Sequence, residues 1–357
     1  MPEPPSSVPR RPAASRGASL RYASDQEPGY RRVGKGTRVR YLDGDGNAVR
    51  DAGTLERCRH LAIPPAWTDV WICVDPQGHL QAVGRDARGR KQYRYHPEWR
   101  RRQGADKHER VLRLAQRLPR IRAAVERDLR RPGMPREKVL ALLVCLLERT
   151  YLRVGNEEYE RQNGSFGLTT MRDRHASTEG AWIRFRFRGK GGKMHEVGLR
   201  DRRLAGLVRR IQELRGQQLF EYLDDDGARR HIRSDDLNDY LRDIAGVQVS
   251  AKDFRTWAGT VLAFRALRRA APDVPPAEAR RHLRQAFEQV GELLGNTATV
   301  SRQSYVDPTL VTAWQEGALA RVRWKPEPDR RPGDPPTPAE EAAVLRLLKR
   351  QAMATER

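Results

Sequence analysis

The larger part of this 357-residue chain is organised around one apolar stretch, Val139-Leu140-Ala141-Leu142-Leu143-Val144-Cys145-Leu146-Leu147. It lies within the segment Pro135 to Leu152, whose apolar residues nearly encircle a helix instead of forming one stripe. That pattern is typical of a helix buried on all sides. The sequence therefore predicts a central buried helix, followed at once by the polar motif Arg153-Val154-Gly155-Asn156-Glu157.

Most of the chain around this segment has helical periodicity, with one interruption. The run Trp182 to Phe187 alternates apolar residues with arginine, and Met194 to Val197 follows after the turn Gly189-Lys190-Gly191-Gly192-Lys193. This pattern predicts a β-hairpin with Lys190 at its tip. Further helices are predicted near residues 119–129, 200–216, 234–245, 252–270 and 276–290.

The sequence between Tyr30 and about His96 differs, because short β-like runs replace the helical pattern. Val70 to Val74 and His79 to Val83 are joined by a good turn sequence, Asp75-Pro76-Gln77-Gly78. A short helix is predicted from Ala52 to Leu61. The fold class is therefore α+β, with a small β-rich N-terminal lobe and a larger, mainly helical lobe.

Composition divides the chain into four parts. Residues 1–28 are rich in Pro, Ser, Ala and Arg and predict a disordered basic arm. Residues 29–100 form the β-rich domain, and residues 101–324 form the helical domain. Residues 325–357 form a Pro-rich tail with a terminal helix from Pro338. The linker between the lobes is predicted between His96 and Asp106.

The charge balance suggests a polyanionic partner. The chain has 69 basic and 46 acidic residues, a net charge of +23, and nucleic acid is the commonest partner of such a protein. Only nine of the 69 cations are lysine, so arginine use partly reflects genome composition. No secretory signal or membrane span is recognisable, and the three cysteines lack CxxC spacing. We expect a cytoplasmic protein with reduced thiols and no zinc site.

Five residues have the chemistry needed to cleave a phosphodiester: Arg153, Lys190, Arg255, Asn296 and Tyr305. Such cleavage needs an oxygen nucleophile, cations that neutralise the transition state, and an acid for the leaving oxygen. Tyr305 would attack, the two arginines would bind the non-bridging oxygens, Asn296 would donate a neutral hydrogen bond, and Lys190 would protonate the 5′-oxygen. A single tyrosine is usually a half-buried core residue and a single arginine a surface charge, so the prediction depends on the set.

The chain order of these residues resembles that of the type IB DNA topoisomerases, especially the poxvirus-like bacterial kind. The separations of 37 residues between Arg153 and Lys190 and of 9 between Asn296 and Tyr305 agree with that family. The resemblance covers about residues 30–320. It implies a two-lobed clamp around duplex DNA and relaxation of positive and negative supercoils through a 3′-phosphotyrosyl intermediate, strand rotation and religation. It implies no ATP, cofactor or obligatory metal, although magnesium can speed turnover.

Two positions depart from the family pattern. Asn296 stands where many members have histidine, and Gly191 stands where an acidic residue often follows the hairpin lysine. An amide cannot act as an imidazolium donor. A general-acid role at position 296 is therefore not expected.

The resemblance also implies DNA contacts outside the cleavage site. Gln92, Tyr93 and Tyr95 match small-lobe residues that contact the major groove, and Tyr159 matches a position that touches the phosphate backbone. Strand alternation places Tyr93 and Tyr95 on one face and Gln92 and Arg94 on the other.

Two other functions fit part of the pattern. A tyrosine site-specific recombinase uses a related set of residues, but it has an exchangeable C-terminal helix that is not obvious here, although Pro338 to Met353 leaves this open. A DNA-packaging protein with an inactive site would lack Tyr305 or an arginine, and neither is missing. We expect a nucleoid-associated monomer that binds double-stranded DNA and no membrane.

Overall fold

A computed structural model describes residues 20–34, 38–214, 216–270, 272–324, 331 and 333–355, excluding the side chains of Ala105, Tyr159 and Thr355. The chain divides into two compact units, Met1–Asp106 and Lys107–Arg357.

The first unit is built on a five-stranded antiparallel sheet, in which the strands lie in the order β2 (Arg40–Leu42), β1 (Gly29–Val33), β3 (Thr68–Cys73), β4 (Leu80–Arg85) and β5 (Lys91–Tyr95). The α+β class predicted from sequence is confirmed. A small apolar core forms in this unit around the central strands, where Val70, Ile72 and Ala82 pack with Cys58 of the helix. The elements are β1 (Gly29–Val33), β2 (Arg40–Leu42), α1 (Ala52–His60), β3 (Thr68–Cys73), β4 (Leu80–Arg85) and β5 (Lys91–Tyr95).

The arm predicted over residues 1–28 is described only from Leu20, and its last part is ordered against the sheet. Arg21 exchanges backbone hydrogen bonds with Gln77 and His79, and Ala23 is buried. The prediction of disorder up to residue 28 is therefore wrong for residues 20–28. Composition could not predict this order, because it depends on backbone hydrogen bonds of Arg21 with Gln77 and His79, which are distant in sequence.

The linker predicted between His96 and Asp106 is helical. Helix α2 (Pro97–Leu129) begins at Pro97, and the division between the two units falls within it. The sequence predicted helices from about Trp99 onward, with one segment near Pro119 to Leu129. Pro119 lies inside the helix, where its ring removes one amide donor.

The second unit is mainly helical, and α3 is its buried centre as predicted. All of Val139–Val144 is buried, together with Leu146 and Leu147. Hairpin β7–β8 also forms as predicted, extended by β6 into a sheet of order β6-β7-β8. No described helix is long and apolar enough to cross a membrane. The elements are α3 (Arg136–Thr150), α4 (Glu157–Asn163), β6 (Ala176–Glu179), β7 (Trp182–Arg188), β8 (Met194–Arg200), α5 (Arg202–Gln212), β9 (Glu221–Leu223), β10 (Arg229–His231), α6 (Ser234–Ala245), α7 (Ala251–Leu267), α8 (Pro276–Leu294), α9 (Ala298–Ser304), α10 (Pro308–Gln315) and α11 (Pro338–Thr355).

The predicted tail ends in a helix that belongs to the core of the second unit. Helix α11 buries Val344 and Leu348, and it is joined to α7 by a two-point ion pair between Arg265 and Glu340, with both N–O distances 2.7 Å. Both charged side chains are buried. Residues 325–330 and 332 lie outside the described residues. The description of residues 325–357 as a tail is therefore corrected for α11.

Candidate active site

Tyr305 lies in the short connection between α9 and α10, and a side chain caps the N-terminus of each of these helices. The side chain of Thr297 accepts from the amide of Val300, and Asp307 accepts from Thr309. Lys107 donates a 2.6 Å hydrogen bond from Nζ to the carbonyl of Ser304. The backbone on both sides of the half-buried Tyr305 ring is thus held by defined hydrogen bonds.

Arg255 approaches Tyr305 from the buried helix α7. Its guanidinium carbon is 5.1 Å from the centroid of the Tyr305 ring, a cation–π geometry. One Nη group donates to the carbonyl of Tyr151, and the other donates to that of Leu294 at 2.7 Å. The buried Nε has no partner among the described residues. A guanidinium has five N–H donors, so Arg255 is held in place while donors remain for a ligand.

Arg153 follows the end of α3, where the chain turns sharply. Tyr151 ends this helix in the left-handed conformation, with φ of 56°, an uncommon value for a residue with a side chain. Gly155 then has φ of 105°, and a Cβ there would lie 2.8 Å from Oγ1 of Thr170. The amide of Leu168 donates to the carbonyl of Arg153. The glycine of the Arg-Val-Gly-Asn-Glu motif is therefore required by the turn that fixes Arg153.

Asn296 is oriented by Arg153. Nη2 of Arg153 donates to Oδ1 of Asn296 at 2.5 Å, and the backbone amide of Asn296 donates to the carbonyl of Gly291. The other side-chain atom, Nδ2, is buried and has no partner in the described part of the chain. Buried donors without partners are rare in proteins. The arrangement leaves one oriented neutral donor beside the arginines.

The electrostatic environment favours ionisation of Tyr305. Burial by itself raises the pKa of this phenol, but the positive charges of Arg255 and Arg153, a hydrogen bond with Arg255 and the charge of Lys252 together bring its pKa below the usual value. Burial, assisted by the charge of Arg153, lowers the pKa of Arg255 to about 10. Arg255 therefore remains cationic at neutral pH. The site therefore combines a phenol whose pKa is lowered with Arg255, a cation that burial has largely removed from water.

Lys190 is separate from the other four predicted site residues. It is exposed at the tip of hairpin β7–β8, in a single 3-10 turn that spans Lys190–Gly192. No hydrogen bond or ion pair joins it to a described residue. The structure therefore brings Arg153, Arg255, Asn296 and Tyr305 together and leaves Lys190 on a projecting turn.

Three residues of this site were missed in the sequence analysis. Lys252 contributes to the charge that acts on Tyr305, Lys107 holds the carbonyl that precedes it, and His195 faces the positive charges of Arg153 and Arg255. Lys252 lies one turn before Arg255 on α7, so helical spacing could have indicated it. The other two approach the site from distant parts of the chain, and no local pattern marks them.

The residues of the first unit that are predicted to contact DNA lie on both faces of β5. Tyr93 and Tyr95 are exposed and stacked, with ring centroids 6.0 Å apart. Gln92 lies on the opposite face, where its Nε2 donates to Asp86 at 3.0 Å. The predicted alternation is thus observed, and it separates Gln92 from the two tyrosines. The side chain of Tyr159 lies outside the described residues.

Hairpin strand β7 has two chemically distinct faces. Ile183, Phe185 and Phe187 point into the core, and the residues between them are exposed. The exposed residues of β7 include three arginines, and none of the three forms an ion pair with a described residue. We call them the arginine stripe: Arg184, Arg186 and Arg188.

Comparison with known proteins identifies the family. Residues 96–317 match the family described as "Eukaryotic DNA topoisomerase I, catalytic core", and residues 38–86 match "Bacterial DNA topoisomerase IB, N-terminal domain". The chain is 31% identical over 285 residues to DNA topoisomerase 1B of Acanthamoeba polyphaga mimivirus, covering 78% of this chain and 85% of that protein. It is 22% identical over 269 residues to DNA topoisomerase I of Monkeypox virus and to DNA topoisomerase 1B of Vaccinia virus (strain Copenhagen). Both of these alignments cover 73% of this chain and 82% of the relative.

The family model and these relatives define an enzyme that acts on DNA. The chain belongs to the type IB DNA topoisomerase family.

Proposed function

We propose that this protein relaxes positive and negative supercoils by cleaving one DNA strand with Tyr305. The phenol oxygen forms a bond to phosphorus while the bond from phosphorus to the 5′-oxygen breaks. The products are a 3′-phosphotyrosyl link and a free 5′-hydroxyl. The cut strand rotates about its partner, and the 5′-hydroxyl reverses the reaction. Because the covalent link keeps the phosphodiester energy, no ATP is needed.

The observation that carries this proposal is the set of donors around Tyr305. Arg153 and Arg255 lower the pKa of the phenol, as does Lys252. Nε of Arg255 and Nδ2 of Asn296 are buried without a described partner. A phosphate oxygen bound between them would accept these hydrogen bonds, and the developing negative charge in the transition state would strengthen them. Every charge used comes from a side chain, so magnesium is not required and acts at most on turnover.

We assign the proton of the leaving 5′-oxygen to Lys190. Lys190 is exposed on the turn at the hairpin tip and has no side-chain partner among the described residues, so its ammonium group is available to a bound strand. Tyr305 passes its phenol proton to solvent water and attacks as the phenolate, and the leaving oxygen gains a proton from the ammonium group of Lys190. Both transfers reverse on religation.

Relaxation of supercoiled plasmid in excess EDTA and without ATP tests the reaction. We expect complete relaxation of both signs of supercoil by the native protein, and no covalent DNA adduct with Tyr305→Phe at nearly unchanged duplex affinity. The Phe variant keeps the ring that Arg255 contacts, so it is the matched control. An absolute requirement for magnesium, or an adduct on the Phe variant, would refute the mechanism.

The role of Lys190 is tested with DNA that has a bridging 5′-sulfur, which leaves without an acid. Lys190→Ala should cleave ordinary DNA very slowly and recover substantially on the sulfur substrate. Arg153→Ala and Arg255→Ala should recover much less, because sulfur at the bridge does not replace their contacts to the non-bridging oxygens. Equal recovery of all three variants would remove the role assigned to Lys190.

A tyrosine recombinase remains the alternative, and the C-terminal helix distinguishes the two. Recombinases exchange such a helix between subunits, whereas here α11 is joined to α7 of the same chain by the buried pair of Arg265 and Glu340. This favours a monomer that acts on one duplex. Light scattering with and without DNA should give the mass of one chain, and strand exchange between two linear duplexes should be absent. We expect the protein to act in the cytoplasm, on the nucleoid.

A further inference from the structure

His195 connects the two turns that carry the separated parts of the site. It lies on β8, opposite Phe187 in the register of the hairpin, and its ring stacks on that phenyl ring with centroids 5.4 Å apart and planes 13° apart. The ring therefore has one defined orientation.

Both edges of the imidazole contact glycine backbone. A Cβ on Gly189, which opens the Lys190 turn, would lie 2.5 Å from Cδ2 of His195. A Cβ on Gly295, which precedes Asn296, would lie 2.5 Å from Cε1. Real Cβ atoms do not approach so closely, so the ring occupies space that is open only because both residues are glycine.

Each of the two turns is closed by its own backbone hydrogen bonds. The Lys190 turn is closed by its own backbone, through the bonds from Gly189 to Lys193 and from Gly192 to Gly189. The Gly295 turn ends α8 and delivers Asn296 to Arg153. Lys190 itself is exposed. The imidazole between the two glycines thus forms a contact between the hairpin tip and the turn that precedes Asn296.

We infer that His195 is a positioning residue, which docks the Lys190 turn against the Gly295–Asn296 turn so that the general acid and the phosphate-binding residues act on one phosphodiester. The inference depends on the proposed function only in naming Lys190 as the acid. The imidazole acts through its shape, wedged between two glycines.

The neighbouring charges are consistent with a neutral ring. Burial lowers the pKa of His195, and the charges of Arg153, Arg255 and Lys193 lower it further. A protonated ring would add a fourth positive charge to these three. The uncharged form also stacks on Phe187 without the cost of burying a charge.

Single-turnover cleavage tests the inference with ordinary and 5′-sulfur DNA. We expect His195→Ala to slow cleavage of ordinary DNA by roughly 10²-fold, the size of effect that misplacement of a catalytic group produces, and to recover on the sulfur substrate. His195→Phe, which keeps a flat ring, should retain much more activity than the Ala variant. The double variant Lys190→Ala/His195→Ala should be no slower than Lys190→Ala. Met194→Ala, an exposed neighbour, should behave as the native protein.

Hydrogen exchange gives a readout that does not depend on the role of Lys190. His195→Ala should increase exchange in both residues 189–193 and residues 295–297, whereas His195→Phe should not. Unchanged exchange in either turn would overturn the inference. The inference would also be overturned if His195→Ala cleaved both substrates slowly. It would fail as well if the loss of rate in Lys190→Ala/His195→Ala equalled the product of the two single losses. If Lys190→Ala itself fails to recover on sulfur DNA, the acid assignment is wrong while the exchange result still decides the docking.

Discussion

Arg153 donates a 2.5 Å hydrogen bond from Nη2 to Oδ1 of Asn296, and this single contact determines which way the amide faces. The oxygen is occupied by the arginine, so the NH2 group is directed away from it, without a described partner. The side chain of Asn296 thus presents one oriented neutral donor beside the arginines.

Replacing the amide of Asn296 should separate its two functions. Asn296→Ala loses the donor and should slow cleavage by roughly 10²-fold, the usual cost of one donor at a developing charge. Asn296→Asp keeps an oxygen for Arg153 but directs a negative oxygen at the phosphate, so it should be slower still. Single-turnover cleavage with matched DNA affinity measures both. An Asp variant faster than the Ala variant would contradict the orientation described here.

Lys252 should control the pH dependence of cleavage. Its charge helps to lower the pKa of the Tyr305 phenol, so Lys252→Gln should raise that pKa. Because the phenolate is the attacking form, the rise of cleavage rate with pH should move to higher pH in this variant. Lys349→Gln removes an exposed charge from α11 and should leave the profile unchanged. A shift to lower pH, or equal shifts in both variants, would show that Lys252 does not act on Tyr305.

Gly259 should be required for the position of the nucleophile. A Cβ at this position on α7 would lie 2.4 Å from the carbonyl of Tyr305 and 3.1 Å from its Cβ. Gly259→Ala should therefore displace Tyr305 and slow cleavage strongly, even though alanine is the better helix former. Gly206→Ala on α5 meets nothing within 4 Å. It should keep full activity and stabilise the fold by about 1 kcal/mol, as thermal unfolding would report. Normal cleavage by the Gly259 variant would refute the close contact.

The arginine stripe on β7 should contribute phosphate contacts. If each of its three arginines meets one phosphate, changing all three to serine should reduce the slope of log affinity against log salt by about 0.9 per residue, or about 2.7 in total. The control removes three exposed arginines of α8, Arg280, Arg281 and Arg284, and so the same net charge. Equal reductions in both variants would indicate only the general effect of net charge.

The sequence alone determined the elements whose signals are local. The apolar encirclement of Val139–Leu147 predicted the buried helix α3, and the alternation of Trp182–Phe187 predicted the hairpin with Lys190 at its tip. The spacing of five polar residues predicted the family, which the comparisons established. Such patterns are readable because burial on one face or on all faces imposes a period on the sequence.

The meeting of the site residues depends on the tertiary structure, because they come from distant parts of the sequence. Arg153 and Asn296 are 143 residues apart in sequence, and Lys107 and Ser304 are 197 apart. Whether such residues meet depends on how the helices pack. The same reason explains why α11 was predicted to belong to a tail. Its sequence is charged and flanked by proline, whereas the structure buries Glu340 against Arg265. A buried charge is stable only beside its partner, and no sequence period records where that partner lies.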